Sequence, residues 1–160
     1  MCIRDRPYTW NAIVTDGGYA ENLVPDFAMS MQIFSDATYC PGAGCLYVGT
    51  DRPNEMVRIH PNTAGQVKVD ATDSWDLIVG NPRTIPPGQP GAGQYIPPMS
   101  GIGQYFGNGF TGHFWRMGVG SQGLYMGTWD WSSDNVPEPT FGPVWSQEYG
   151  TDVWLSLIHI

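Results

Sequence analysis

The chain has 160 residues and a formal net charge of −8, with only 7 basic residues. An acidic chain without basic clusters is not expected to bind nucleic acid or anionic membranes, and no stretch approaches the ~20 apolar residues of a membrane-spanning helix. Glycine, proline and aromatic residues are all abundant. Because disordered chains contain few aromatic residues, this composition predicts a folded protein of short strands and tight turns.

The two ends of the chain are related to each other at the DNA level. Met1–Arg6 and Leu155–Ile160 can be back-translated into sequences that are reverse complements of one another. The pair resembles a transposon-end sequencing adapter that has been read in both directions. We therefore expect residues 1–6 and 155–160 to be adapter artefacts, and residues 7–154 to be an internal fragment of a larger protein.

Short apolar runs recur along the chain in a fixed order. Trp10–Val14 resembles Trp75–Val79, and Leu46–Thr50 resembles Leu124–Thr128. Two different matches in alternating order indicate a structural repeat. No window keeps a helical spacing of apolar residues without an interrupting glycine or proline, so the repeated unit is predicted to consist of strands alone.

The first complete unit is predicted over residues 27–80. Its four strands lie near Phe27–Phe34, Leu46–Thr50, Glu55–His60 and Trp75–Val79. Residues 7–26 are then the end of a preceding unit and its connecting loop.

Two cysteines lie within this first unit. The spacing from Cys40 to Cys45, Cys-Pro-Gly-Ala-Gly-Cys, suits a disulfide that closes a small loop at a hairpin tip. A disulfide favours an oxidising compartment, and two free thiols are the alternative. No metal site is predicted, because this pair has too few further ligands nearby in the sequence, and His60 and His113 are interpreted as packing or loop residues.

The rest of the chain repeats the pattern after a long connection. Residues 81–111 form a long Pro/Gly-rich loop, and residues 112–154 form a truncated second unit. Its strands lie near His113–Val119, Leu124–Thr128, Phe141–Ser146 and from Asp152 onward. Four-stranded units that stack radially are the blades of a β-propeller, so the predicted architecture is a partial β-propeller of about two antiparallel blades. A β-sandwich is the alternative.

The segment Ser146–Trp154 resembles an Asp box, the Ser-x-Asp-x-Gly-x-x-Trp motif of sialidase-type propellers. Ser146, Gly150 and Trp154 match the motif, and Glu148 stands where the family has Asp. The Leu-Tyr-x-Gly-Thr repeat is also similar to that of uncharacterised secreted bacterial propeller proteins. The resemblance implies a secreted or cell-surface propeller in which the box is a structural turn away from the active face.

Candidate ligand-binding residues lie in the loops that are predicted on the opposite face. They are Asp51, Arg52, Glu55, Arg83, Tyr95, Trp129, Asp130, Trp131 and Asp134. Aromatic rings beside carboxylates suit sugar rings, although aromatic side chains also pack beneath long loops. We therefore predict a glycan or protein ligand and no cofactor. The alternatives are a glycoside hydrolase or lyase that uses carboxylates of this face, and a purely structural repeat.

Overall fold

The chain folds as an all-β protein, which confirms the predicted fold class at this level. The computed structural model describes residues 27–51, 53–61, 74–89, 91–109, 111–130 and 153–155. Over these ranges the antiparallel strands form one seven-stranded sheet and one two-stranded sheet, and neither sheet is closed. The same ranges contain no helix with the length and apolar character needed to cross a membrane.

The first four strands follow one another as an antiparallel meander. They are β1 (Phe27–Asp36), β2 (Cys40–Asp51), β3 (Met56–Ile59) and β4 (Trp75–Val79). β1 pairs with β2, β2 pairs with β3, and β3 pairs with β4. These are the strands that the apolar runs predict for residues 27–80, because aromatic and β-branched residues favour the extended backbone.

The long connection after β4 contains a small hairpin of its own. Its strands are β5 (Arg83–Thr84) and β6 (Tyr95–Ile96), which form the separate two-stranded sheet. Ile85 is buried in one cluster with residues of β3 and β4, and Ile96 packs against the same cluster. The segment predicted as a loop therefore covers one side of the large sheet. The core on this side is formed by Val57, Ile59, Trp75, Leu77 and Ile85.

The second half of the large sheet begins with another hairpin. β7 (Thr111–Gly120) pairs with β8 (Gly123–Asp130), and β8 also pairs with β9 (Val153–Leu155). A regular four-stranded unit would place Phe141–Ser146 beside β8, but the structure places β9 there. Phe141–Ser146 itself lies outside the described residues.

The two halves of the sheet meet face to face across a second core. β2 of the first half and β7 of the second half pair at a single position, Asp51 with His113. The side chain of Phe114 lies directly over Gly49 of β2. A Cβ at Gly49 would lie 2.6 Å from Phe114 Cγ, so this close approach needs glycine. β2 is therefore covered on both faces. The core between the halves consists of Cys40, Cys45, Tyr47, Met56, Ile78, Val79, Phe114, Met117, Leu124 and Met126.

The two Leu-Tyr-x-Gly-Thr segments lie on equivalent strands but turn opposite faces to this core. In β2, Tyr47 is buried in it while Leu46 is half-buried on the other side. In β8, Leu124 is buried in it while Tyr125 is half-buried. Since side chains alternate along a strand, the two segments are out of phase by one residue.

Candidate functional site

The structure describes six of the nine predicted ligand-binding residues. Those outside the described ranges are Arg52, Trp131 and Asp134, together with Ser146, Glu148 and Gly150 of the Asp-box-like segment. The six described residues do not form one site, because four of them are buried and two are exposed elsewhere on the surface.

Glu55 and Arg83 form a buried ion pair that ties the long connection to the sheet. Arg83 Nη2 donates a hydrogen bond to Glu55 Oε2 at 2.7 Å, and only 2% and 1% of the two side chains are exposed. The other carboxylate oxygen, Oε1, accepts from Gln104 Nε2 at 3.0 Å and from the Asn81 backbone N–H at 3.2 Å. Both oxygens are thus used within the protein, which gives this predicted pair a role in anchoring the connection.

Gly80 allows the backbone to pass against this carboxylate. A Cβ at Gly80 would lie 2.7 Å from Glu55 Oε1 and 2.8 Å from Leu77 Cδ1. The φ angle of Gly80 is also positive, at 153°. Because both the space and the conformation exclude a larger side chain, the ion pair depends on glycine at this position.

Asp51 and Asp130 are also buried, at the last residues of β2 and β8. Asn108 Nδ2 donates to Asp130 Oδ2 at 3.0 Å, which fixes the end of the long connection to the second hairpin. These two carboxylates therefore face the interior of the protein, not a surface ligand.

Tyr95 and Trp129 are the two predicted site residues that are exposed. Trp129 is 36% exposed and lies beside Trp115, which is 62% exposed. The ring centroids are 6.2 Å apart and the planes are inclined by 57°, within the usual range for paired aromatic rings. The two indoles form a joint apolar surface at the end of the β7–β8 hairpin.

A β-bulge explains why Trp115 belongs to this surface, although it was not predicted. The register between β7 and β8 shifts between Phe114 and Arg116. Phe114 and Met117 are buried, whereas Trp115 and Arg116 are both exposed. An extra residue in one strand changes the direction of the side chains that follow it in this way. The apolar pattern of the sequence does not indicate where such a bulge occurs.

A second polar cluster joins β3 and β4. Arg58 Nε donates to Asp76 Oδ2 at 2.9 Å, and Arg58 Nη2 donates to the same oxygen at 2.5 Å. His60 Nε2 lies 2.5 Å from that oxygen as well. The antiparallel register places Arg58 directly opposite Asp76, so the ladder itself brings these groups together. Asp76 and His60 are partly exposed, at 30% and 28% of the side chain.

This cluster extends to the cysteines through His60, which was interpreted from the sequence as a packing or loop residue. Cys40 and Cys45 form a disulfide with a Cα–Cα distance of 5.4 Å. His60 Nδ1 lies 3.4 Å from Cys45 Sγ. The register that pairs Leu46 with Ile59 brings the next residues, Cys45 and His60, side by side. To predict this contact from the sequence, one would have to know which residues of β2 and β3 pair with each other.

The charges of the cluster stabilise one another. Burial alone would raise the pKa of Asp76, but hydrogen bonds from His60 and Arg58 outweigh it, and the pKa of Asp76 is lowered. Burial would likewise lower the pKa of Arg58, whereas its bonds to Asp76 and Tyr47 raise it. The pKa of Tyr47 is raised, chiefly because the phenol is buried. The carboxylate is therefore held in its ionised form beside His60.

Trp154, the described motif residue of the Asp-box-like segment, is half-buried and packs against the core between the two halves. Its ring stacks on Phe106 with a centroid distance of 4.5 Å, and Phe106 contacts Phe114 edge to face at 5.4 Å. Tyr105 and Phe106 both have positive φ angles, 58° and 52°. This strained backbone turns Phe106 inward, and Trp154 here has a packing role.

The chain was compared with protein-family models, with curated proteins and with solved structures, and none of them matches. The function must therefore be inferred from the chemistry of the described residues.

Proposed function

We propose that this chain belongs to a secreted or cell-surface protein that binds a glycan, and that a sugar ring stacks against Trp115 and Trp129. The observation that carries the proposal is the exposure of two adjacent indole rings on one surface of the second hairpin. Clustered exposed apolar side chains in a folded protein mark interaction sites. A sugar ring has an apolar C–H face bordered by hydroxyl groups, which suits an indole plane with polar groups beside it.

Polar groups that could orient such a ligand lie next to the aromatic pair. Arg116 directly follows Trp115 in the bulge and is exposed. Its guanidinium offers several N–H donors and no acceptor. Ring hydroxyls can accept these hydrogen bonds while the ring stacks on the indoles. Arg116 is thus a candidate for selecting the orientation of the sugar.

The parent protein is proposed to be a β-propeller, as the sequence repeat suggests. Two observations support this architecture: the four consecutive strands of the meander, and the cover on both faces of β2. Trp129 is the penultimate residue of β8, next to Asp130, which bonds Asn108 of the long connection. In a propeller the aromatic pair would therefore lie on the same side of the blade as the long connection.

The enzymatic alternative gains no support from the carboxylates that the structure describes in these loops. A glycosidase needs two carboxyl groups that both reach the scissile bond. Asp51, Glu55 and Asp130 are buried, and Glu55 is already bonded to Arg83. We therefore favour binding over turnover.

The test is a glycan array probed with the full chain, followed by calorimetry with the best ligand. Trp115→Ala and Trp129→Ala are each expected to weaken binding at least tenfold, which corresponds to about 1.4 kcal/mol. Tyr95→Ala is the matched control, because Tyr95 is aromatic and 61% exposed, as Trp115 nearly is, but lies on β6 of the two-stranded sheet.

A cooperative urea-unfolding transition with a midpoint close to that of the parent would show that each variant retains its fold. Unchanged glycan affinity in both tryptophan variants would refute the proposed site. Absence of glycan binding, together with loss of a protein interaction in the same variants, would assign the surface to a protein partner instead.

A further inference from the structure

Cys40, Cys45 and His60 form a group of metal-ligand side chains that the proposed glycan site does not use. Each offers one ligand atom, and these atoms lie within 4.8 Å of one another. Two thiolates and an imidazole are a known zinc ligand set, in which a fourth position stays open to water or substrate. We propose that the chain binds a zinc ion through these three residues once the Cys40–Cys45 disulfide is reduced.

The spacing of the ligand atoms is close to that of a zinc site. With Zn–S bonds of ~2.3 Å and a Zn–N bond of ~2.0 Å in tetrahedral geometry, a sulfur and a nitrogen ligand lie about 3.5 Å apart. His60 Nδ1 lies 3.4 Å from Cys45 Sγ. Opening the disulfide frees both sulfurs to separate, so a small side-chain adjustment completes the site.

Asp76 supplies the outer-shell contact that zinc-bound histidines usually have. Its Oδ2 atom lies 2.5 Å from His60 Nε2, so it can accept a hydrogen bond from Nε2–H and leave the Nδ1 lone pair directed towards the cysteines. Arg58 in turn holds the Asp76 carboxylate through two hydrogen bonds. Such a carboxylate–histidine pair fixes both the tautomer and the ring orientation of a ligand.

The site is enclosed on one side and open on the other. Both cysteines are only 2% exposed, whereas the His60 side chain is 28% exposed. The ion can therefore enter past the imidazole, and a water molecule can take the fourth position from the same side. The sulfurs remain buried in the core, which limits the access of oxidants to them.

The disulfide and the zinc ion are alternative links within the same hairpin. A dithiol reductant transfers two electrons and two protons, so the S–S bond breaks, two thiols form, and the reductant becomes a disulfide. Zinc then displaces the two thiol protons, which pass to the solvent, without a change in its oxidation state. This inference is independent of the proposed glycan binding.

The experiment uses the full chain with Cys2→Ser, which removes the third cysteine of the sequence. The protein is reduced with a dithiol, freed of reductant without oxygen, and titrated with Co²⁺ and then Zn²⁺. We expect one Co²⁺ per chain, with a thiolate-to-cobalt charge-transfer band and the strong visible absorption of a tetrahedral ion. Zn²⁺ should abolish both signals and protect Cys40 and Cys45 from alkylation, as read by mass spectrometry.

Variants separate ligation from folding. Cys45→Ser should remove the charge-transfer band or weaken Zn²⁺ binding at least 100-fold, and His60→Ala should weaken it at least tenfold. Asp76→Asn is expected to weaken it about 10–100-fold with the band retained, as an outer-shell partner does. His159→Ala, a histidine in the terminal hexapeptide, is the matched control and should leave the affinity unchanged.

The alkylation experiment needs no change at the site and decides the matter if a variant fails to fold. The proposal is overturned if reduced Cys2→Ser protein shows no thiolate-to-cobalt band, or if Zn²⁺ leaves both cysteines as reactive as before. It is equally overturned if His60→Ala binds Zn²⁺ as tightly as the parent.

Discussion

Two arginine–carboxylate pairs, one within the first unit and one between this unit and the long connection, differ in their access to water. In both pairs the arginine side chain is 2% exposed. Glu55, the partner of Arg83, is 1% exposed, whereas Asp76, the partner of Arg58, is 30% exposed. We call Arg83–Glu55 the sealed pair and Arg58–Asp76 the open pair, because only the second has a carboxylate that is exposed to solvent.

The difference follows from what surrounds each carboxylate. Glu55 is enclosed by the long connection, whose Gln104 and Asn81 saturate it with hydrogen bonds. Asp76 shares one oxygen between Arg58 and His60 at an open side of the sheet. A sealed pair must stay paired, because an unpaired charge in the interior is costly. A partly exposed carboxylate such as Asp76 can be hydrated by water in place of a lost partner, which suits a group that responds to metal or to pH.

The largest expected effect comes from breaking the sealed pair. Glu55→Gln leaves Arg83 buried without its counter-charge, and we expect the free energy of unfolding to fall by about 3–5 kcal/mol. Urea unfolding followed by tryptophan fluorescence would measure it.

A double variant serves as the control for this prediction. Glu55→Leu combined with Arg83→Met removes both charges, and should cost less than Glu55→Leu alone, because no buried charge is left unpaired. If Glu55→Gln changes stability by less than about 1 kcal/mol, as exposed pairs do, the sealed pair does not differ from the open one.

An intermediate effect is expected from crowding the sealed carboxylate. Gly80→Ala would place a methyl group 2.7 Å from Glu55 Oε1, so either the carboxylate or the backbone must move. Overpacking of this kind costs about 1–3 kcal/mol. Gly109→Ala is the matched control, since nothing lies within 4 Å of a Cβ there. Equal unfolding midpoints for the two variants would show that the carboxylate has room to shift.

The strands could be predicted from the sequence, whereas the pairing of their side chains could not. Apolar runs such as Trp75–Val79 identify strands because extended backbone favours these residue types. The repeat also indicated that Leu46–Thr50 and Leu124–Thr128 occupy equivalent strands. The repeat did not reveal that the two strands turn opposite faces to the core. A shift of one residue moves every side chain of a strand to the other face of the sheet without altering the composition of the strand.

The site residues show the same limit. Trp129 could be proposed from its type and position, but Trp115 needed the bulge in β7. His60 meets Cys45 only through the register of two strands. Glu55 has the composition of a ligand-binding residue, and its burial depends on a connection that sequence patterns describe only as a loop. Contacts between distant residues are set by packing, which single-sequence patterns do not encode.

The smallest expected effect belongs to the open pair, measured with the disulfide intact and a chelator present. Asp76→Asn should lower the free energy of unfolding at neutral pH by about 1 kcal/mol, because position 76 is partly open to water and the Asn side-chain oxygen can still accept a hydrogen bond from Arg58. The pKa of Asp76 is lowered in the folded protein, through its bonds with His60 and Arg58 against the effect of burial. The stabilisation is therefore present above the unfolded pKa, about 3.9, and is lost as the pH falls through the lower folded value. Urea unfolding of both proteins over a pH series would show their stabilities converging in acid, and a gap that persists there would mean that Asp76 acts through packing and not through its charge.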